Sequence, residues 1–573
     1  MVLGVFYAEI WDRPGGFSSA ALTPAKNGCG SAGRERGIFV VHTKRIAAFF
    51  AVMMIGFTLC AWGVENAQKT GQARQAVTQQ STWTLTADTQ RGTSYDRHGT
   101  ALTGSEPYTL TAIAPGEAAA RSLAALPDSG EKQAVMGLFA GGKPFLYAFS
   151  GALPEENEGV LHIQGTRRTG PDTLAAHTLG LVDDTGHGVS GIEKACDDWL
   201  SENTGEWEIH YTVGASGRVL QGISPQITDT REQARAGVWL TLDADLQRLC
   251  EEAASPLKSG AAVLLDVETG EILALCSSPR MGNGTEEEAS YLNKAISAYS
   301  VGSVFKMVSA AAALENGVDP TLVYECRGAI EVDGVLFHCF DGTAHGAVTM
   351  EQAFAVSCNG YFVKAMEEVP VTRFRLLAEV MGLGRAMELA DGYWTASGQL
   401  PREETLLQPA NLANFSFGQG ELTATPLQIA AVTAAVAGGG IYRTPVLLYG
   451  YCDAEKEVFQ RQALSEREQV MSEETAGQIA AMMKKAVESG TAKNGAPQRT
   501  TAAAKTGTAQ TGRYQGGEEE VVCWYTGFFP AENPRFALTV MQDGVTENQG
   551  ACAQVFAEIA DGTLSLLSDR AGN

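Results

Sequence analysis

Apolar positions along this chain fall into three rhythms, and each predicts a different kind of element. The first is continuous. Ile46 to Val64 reads IAAFFAVMMIGFTLCAWGV, 19 residues without one charge. A helix of that length crosses a hydrocarbon core of about 30 Å. Lys44 and Arg45 precede it and Glu65 follows. The positive flank predicts a single-pass anchor with the N-terminus cytoplasmic and the rest of the chain outside. A cleaved signal peptide is the competing reading. The stretch is long for one, and Ala61-Trp62-Gly63 is a poor cleavage site.

The second rhythm is strand-like. Trp83-Thr84-Leu85-Thr86-Ala87 alternates, and Asp96 and Gly99 bracket a turn between extended pieces. Ala261–Asp266 and Glu271–Cys276 are apolar runs joined by Val267-Glu268-Thr269-Gly270, which predicts a hairpin. Val521–Phe529 and Phe536–Met541 also predict strands. The third rhythm is helical. It covers Ala244–Ala254, the run after Ser303 up to Asn316-Gly317, and Ala551–Leu567. Thr349 with Gln352 forms a capping box, and Thr425-Pro426 supplies an N-cap with proline at the first helical position. The mixture predicts an α/β protein in four parts. These are a cytoplasmic tail over 1–45, the anchor over 46–64, a stalk with a mixed α+β pedestal over 65–235, and a domain over 236–573 with a largely antiparallel sheet flanked by helices.

Composition narrows the class. The chain has 573 residues with 42 Lys+Arg against 66 Asp+Glu, a net charge of −24. Residues 1–64 hold six Lys/Arg and three Asp/Glu, so the remainder carries all of the acidity. A surplus of carboxylates on that scale argues against nucleic acid as a partner. Eleven cysteines are too sparse for a disulfide scaffold.

The chemistry concentrates in three short motifs. Ser303-Val304-Phe305-Lys306 opens an apolar helix, which puts Lys306 one turn from the Ser303 hydroxyl. A lysine in apolar surroundings can lose its proton and serve as the base that a serine nucleophile needs. Ser-x-x-Lys alone says little, because Ser129 and Ser255 also match; the first lies in a polar turn and the second is followed by Pro256. Ser357-Cys358-Asn359 follows 54 residues later, at the end of a capped helix. Lys505-Thr506-Gly507-Thr508 comes 148 residues after that, on an extended segment. There a cation and hydroxyls suit an anionic peptide end, and Gly507 removes a side chain that would block backbone approach.

In this order the set resembles the penicillin-binding proteins and serine β-lactamases. Tyr299-Ser300-Val301-Gly302, Phe417-Gly418-Gln419-Gly420 and Trp524-Tyr525-Thr526-Gly527 resemble further landmarks of that family. Arg91-Gly92, Asp96-Arg97, Gly99 and Gly188, Gly191, Glu193 resemble the pedestal of its class B members. Cys358 stands where some members carry Asp, with its side chain expected to point away from the catalytic pair. No glycosyltransferase segment is visible. The resemblance implies a monofunctional D,D-transpeptidase that cross-links peptidoglycan stem peptides and is acylated by β-lactam antibiotics. It implies Ser303 as nucleophile, Lys306 as base, and Ser357 with Lys505 as proton carriers. Asn359, Thr506, Gly507 and Thr508 would bind substrate, with no metal or organic cofactor. A SEDS-type membrane glycosyltransferase would be the partner. A D,D-carboxypeptidase, a β-lactamase and a non-catalytic scaffold are the alternatives.

One expectation concerns cysteines outside the motifs. Cys326 and Cys339 flank a short hairpin with its turn at Asp333-Gly334. On the external side they could bridge, closing a loop of about 14 residues for roughly 3 kcal/mol. Two small buried thiols are the other reading.

Overall fold

The computed structural model describes residues 35–69, 81–104, 106–170, 172–281, 291–461, 466–546 and 550–572. Most of the expected tail and most of the polar stalk lie outside these residues. The chain divides into two units, residues 1–81 and 82–573. In the first, one helix runs over Glu35–Lys69, extending the expected span at both ends. Its Ile46–Asn66 portion has a mean hydropathy of 2.0 and no buried share, so it is long and apolar enough to cross a membrane.

The second unit is built around a five-stranded antiparallel sheet. Its strand order is Ile272–Ser278, Gly260–Asp266, Phe536–Val545, Glu518–Phe529, Ala503–Gln515. Both faces are covered, which explains why its strands read as continuous apolar runs. Side chains alternate across a strand. Ala261, Val263 and Leu265 therefore join one core with the helices Lys306–Glu315 and Pro426–Ala437. Ala262 and Leu264 join the other, under Ala244–Ala254 and Gly550–Gly572. The Ala244–Ala254 helix has the expected bounds, with Asp243 accepting from the backbone N–H groups of Asp245 and Leu246. The expected capping box forms at Thr349, and Thr425 is the expected N-cap before Pro426, there completing a capping box with Gln428 as well.

Residues 82–230 add two three-stranded sheets. The segment Thr93–Tyr95 pairs in parallel with Gly237–Leu240, which itself pairs with Leu448–Cys452. Asp96 makes the expected turn: one carboxylate oxygen accepts from the N–H groups of His98 and Thr100, the other from that of Ala244. Glu193 is fully buried between two guanidinium groups, 2.6 Å from Arg168 and 3.4 Å from Arg91. A buried carboxylate persists only when compensated in this way. The upstream motifs are thus an internal clamp.

Candidate active site

The nucleophile motif sits where a tight turn becomes a helix. Gly302–Phe305 forms a 3₁₀ turn, and the α-helix begins at Lys306. The expectation of a helix from Ser303 is corrected here, and the correction strengthens the pairing. In a 3₁₀ turn residues i and i+3 eclipse, so Lys306 lies directly over Ser303. Gly302 has φ +64°, and a Cβ there would lie 2.5 Å from the Thr508 carbonyl oxygen. Only glycine lets the turn approach the Lys505 strand this closely. Below the turn, Phe305 packs in the core against Phe374 and Phe415. Trp524 Nε1 donates to the Ser300 carbonyl at 2.9 Å, and Ser309 Oγ to that of Ser416 at 2.7 Å.

Two motifs meet at Lys306, and the third reaches it through Ser357. Its Nζ lies 3.1 Å from Ser303 Oγ, 3.1 Å from Ser357 Oγ, 2.8 Å from the Ser357 carbonyl oxygen and 2.7 Å from Asn359 Oδ1. Lys505 Nζ donates to Ser357 Oγ at 3.0 Å and to the Thr506 carbonyl at 2.9 Å. Ser357 Oγ therefore bridges two lysines. Ser357 adopts φ +57°, a left-handed conformation that non-glycine residues take only when their surroundings impose it. Asn359 Nδ2 donates to the His338 carbonyl at 2.8 Å.

Both lysines are fully buried, and none of the partners just described is a carboxylate. Burial lowers Lys306 to about 7. Lys505 is pushed well below the usual lysine value by burial and then by the neighbouring charge of Lys306. Desolvation disfavours the ammonium form, so a free amine is available near neutral pH within hydrogen-bond reach of a serine hydroxyl. Such a pair can generate a serine nucleophile and shuttle its proton.

A cleft of about 780 Å³ opens above them, lined by Ser303, Ser357, Asn359, Thr506, Gly507 and Thr508 among others. Thr506 Oγ1 is 2.7 Å from Thr491 Oγ1, a wall residue that no motif signalled. Gly507 lines the cleft and also makes room within the fold. A Cβ there would lie 3.0 Å from Val304 Cγ1 and 3.1 Å from the Val304 nitrogen. Its missing side chain makes room for the nucleophile turn. Cys358 does point away from the catalytic pair, towards Cys339. The other Ser-x-x-Lys matches are structural. Ser129 caps the helix Gly130–Ala140, where a polar turn was expected, and Ser255 caps the end of Ala244–Ala254. Of the two readings of Cys326 and Cys339, the structure has the buried thiols: the sulfurs lie 3.7 Å apart against the roughly 2.05 Å of a disulfide.

A Ser–Lys pair across the start of a helix, with a bridging Ser and a second Lys on the outer strand of this sheet, is the geometry of a candidate activated-serine site. Residues 260–561 match the family described as "Penicillin binding protein transpeptidase domain". That is more than half of the chain, and the chain belongs to this family, as a class B member. It is 30% identical over 411 residues to penicillin-binding protein PbpB of Mycolicibacterium smegmatis, covering 66% of this chain and 61% of that protein. It is 29% identical over 391 residues to stage V sporulation protein D of Bacillus subtilis, covering 65% and 59%. Against peptidoglycan D,D-transpeptidase FtsI of Escherichia coli it is 29% identical over 420 residues, covering 69% and 66%. The chain thus spans about six tenths of the length of these curated relatives. The same fold appears in penicillin-binding protein 3 from Mycobacterium tuberculosis complexed with aztreonam. There the TM-score is 0.61 at 23% identity, over 85% of this chain and 97% of that one.

Proposed function

We propose that the chain is a serine D,D-transpeptidase that cross-links peptidoglycan stem peptides and is acylated by β-lactams. The observation that carries this reading is the contact of Lys306 Nζ with Ser303 Oγ at 3.1 Å, in a setting that holds the lysine near 7. Ser303 Oγ attacks the carbonyl carbon between the last two D-alanines, and its proton passes to Lys306. The C–N bond breaks as that proton leaves Lys306 and is carried by Ser357 and Lys505 to the leaving amine. An acceptor amine from a second strand then attacks the acyl ester and gives up its proton to Lys306, which returns it to Ser303 Oγ as the ester bond breaks. Backbone N–H groups of Ser303 and Thr508 stabilise the oxyanion, a type of contact worth roughly 3 kcal/mol per donor. Asn359 orients the donor peptide amide, and Thr506 and Thr508 bind its terminal carboxylate. Gly507 keeps the strand close to the turn.

The apolar helix is proposed as a single-pass cell-membrane anchor, with the tail over 1–45 cytoplasmic and the catalytic part extracellular. Residues 65–235 would form the stalk and pedestal, and 236–573 the transpeptidase domain. A SEDS-type membrane glycosyltransferase is the proposed polymerase partner. The test is covalent labelling of the full chain by a fluorescent penicillin. Labelling should be stoichiometric, vanish in Ser303→Ala and persist in Ser129→Ala and Ser255→Ala. Labelling that survives Ser303→Ala would sink the reading. Cross-linking assays with lipid-linked substrate then separate transpeptidation from hydrolysis.

A further inference from the structure

Four potential metal donors converge beside the Ser357 loop. Cys326 ends the strand Tyr324–Cys326, Cys339 follows the strand Val335–His338, His345 precedes Gly346–Val348, and Cys358 lies between Ser357 and Asn359. Their Sγ and ring-nitrogen atoms all lie within 4.8 Å of one another. All three cysteines are buried. Among the described residues, no other group of three or more His, Cys, Asp or Glu donors gathers in this way.

The spacings can be compared with those of a real site. A tetrahedral ion with Zn–S near 2.3 Å and Zn–N near 2.0–2.1 Å places its sulfurs about 3.8 Å apart, and sulfur about 3.6 Å from nitrogen. Cys326 Sγ is 3.7 Å from Cys339 Sγ, and Cys339 Sγ is 3.9 Å from Cys358 Sγ. Cys326 Sγ is 3.4 Å from His345 Nδ1. A disulfide would use two donors and leave Cys358 and His345 facing it with no role.

The geometry points to a structural site for one soft divalent cation of the zinc class, held by Cys326, Cys339, His345 and Cys358. Four protein ligands close a tetrahedral shell and leave no position for substrate, so the ion takes no part in the serine chemistry. Its role is positioning. Cys339 adjoins His338, whose carbonyl holds the Asn359 amide, and Cys358 is flanked by Ser357 and Asn359. The ion would pin the 326–345 insert to the loop that presents both residues to Lys306.

The test is metal content of the full-length chain, purified in detergent under reducing conditions without chelator. About one zinc per chain is expected, falling at least fivefold in Cys326→Ser and in His345→Ala. Should those variants fail to fold, wild type decides alone. Cobalt(II) added to metal-stripped protein should give thiolate charge-transfer and tetrahedral d–d absorption, and stripping should lower Tm. Folded, zinc-supplemented wild type carrying less than about a tenth of an ion per chain overturns the proposal. So does a Cys326–Cys339 disulfide in peptide maps of protein from the native envelope. Neither readout depends on whether Ser303 is acylated.

Discussion

The two halves of the candidate site are held in place by different physics. The Gly302–Lys306 turn is fixed from below by apolar packing, with Phe305 in an aromatic cluster and Gly302 wedged against the Lys505 strand. The Ser357–Asn359 loop is fixed from the side. Ser357 is held in a left-handed conformation, Asn359 bonds to the His338 carbonyl, and Cys358 faces Cys339 at the base of a hairpin whose outer residues are exposed. Packing resists changes of solution conditions, whereas thiols, an imidazole and buried amines respond to metal, oxidant and pH. The position of Ser303 should therefore hold under conditions that change the protonation of Lys306 or the state of the Ser357 loop.

The largest expected effect removes the base. Lys306→Ala should slow β-lactam acylation by about 10³-fold, within the range for general bases, while reversible drug binding measured before acylation outlasts it. Acylation at the wild-type rate would show that the base is misassigned. Next is the packed side. Phe305→Ala leaves a cavity under the nucleophile and should cost roughly 3–5 kcal/mol in denaturant unfolding. Leu336→Ala, on a hairpin side chain that is 53% exposed, should change stability by less than about 0.5 kcal/mol. Equal losses at the two positions would erase the distinction.

Gly507→Ala tests how closely the halves are set. The added methyl meets Val304 at 3.0 Å, so about a tenfold slower acylation is expected, with an overpacking cost of roughly 1–3 kcal/mol. An unchanged rate would mean that the turn has room to shift. The mildest perturbation is pH. Burial lowers Lys306 to about 7, so the free-base fraction, and with it the acylation rate, should fall about tenfold per pH unit below that value and level off above it. A flat profile between pH 5 and 8 would remove Lys306 from the rate-determining proton transfer.

Much of this was legible in the residue order. Ala244–Ala254 carried its helical period, Thr349 its capping box, Thr425 its N-cap with Pro426 behind it, and Ala261–Cys276 its hairpin, because these signals act within a few residues of one another. The order of Ser303, Ser357 and Lys505, each on a suitable element, identified the three contributors to the cleft. Other features depended on atoms distant in sequence. That Ser357 Oγ bridges two lysines, that Lys306 is dry enough to lose its proton, and that Gly507 yields space to Val304 follow only when three segments pack together. The cysteines show the limit most clearly. Spacing brought Cys326 and Cys339 together as a pair, since a hairpin joins its own ends. Folding around the Ser357 loop added His345 and Cys358, because convergence of four donors is a property of the tertiary fold and leaves no local periodicity to detect.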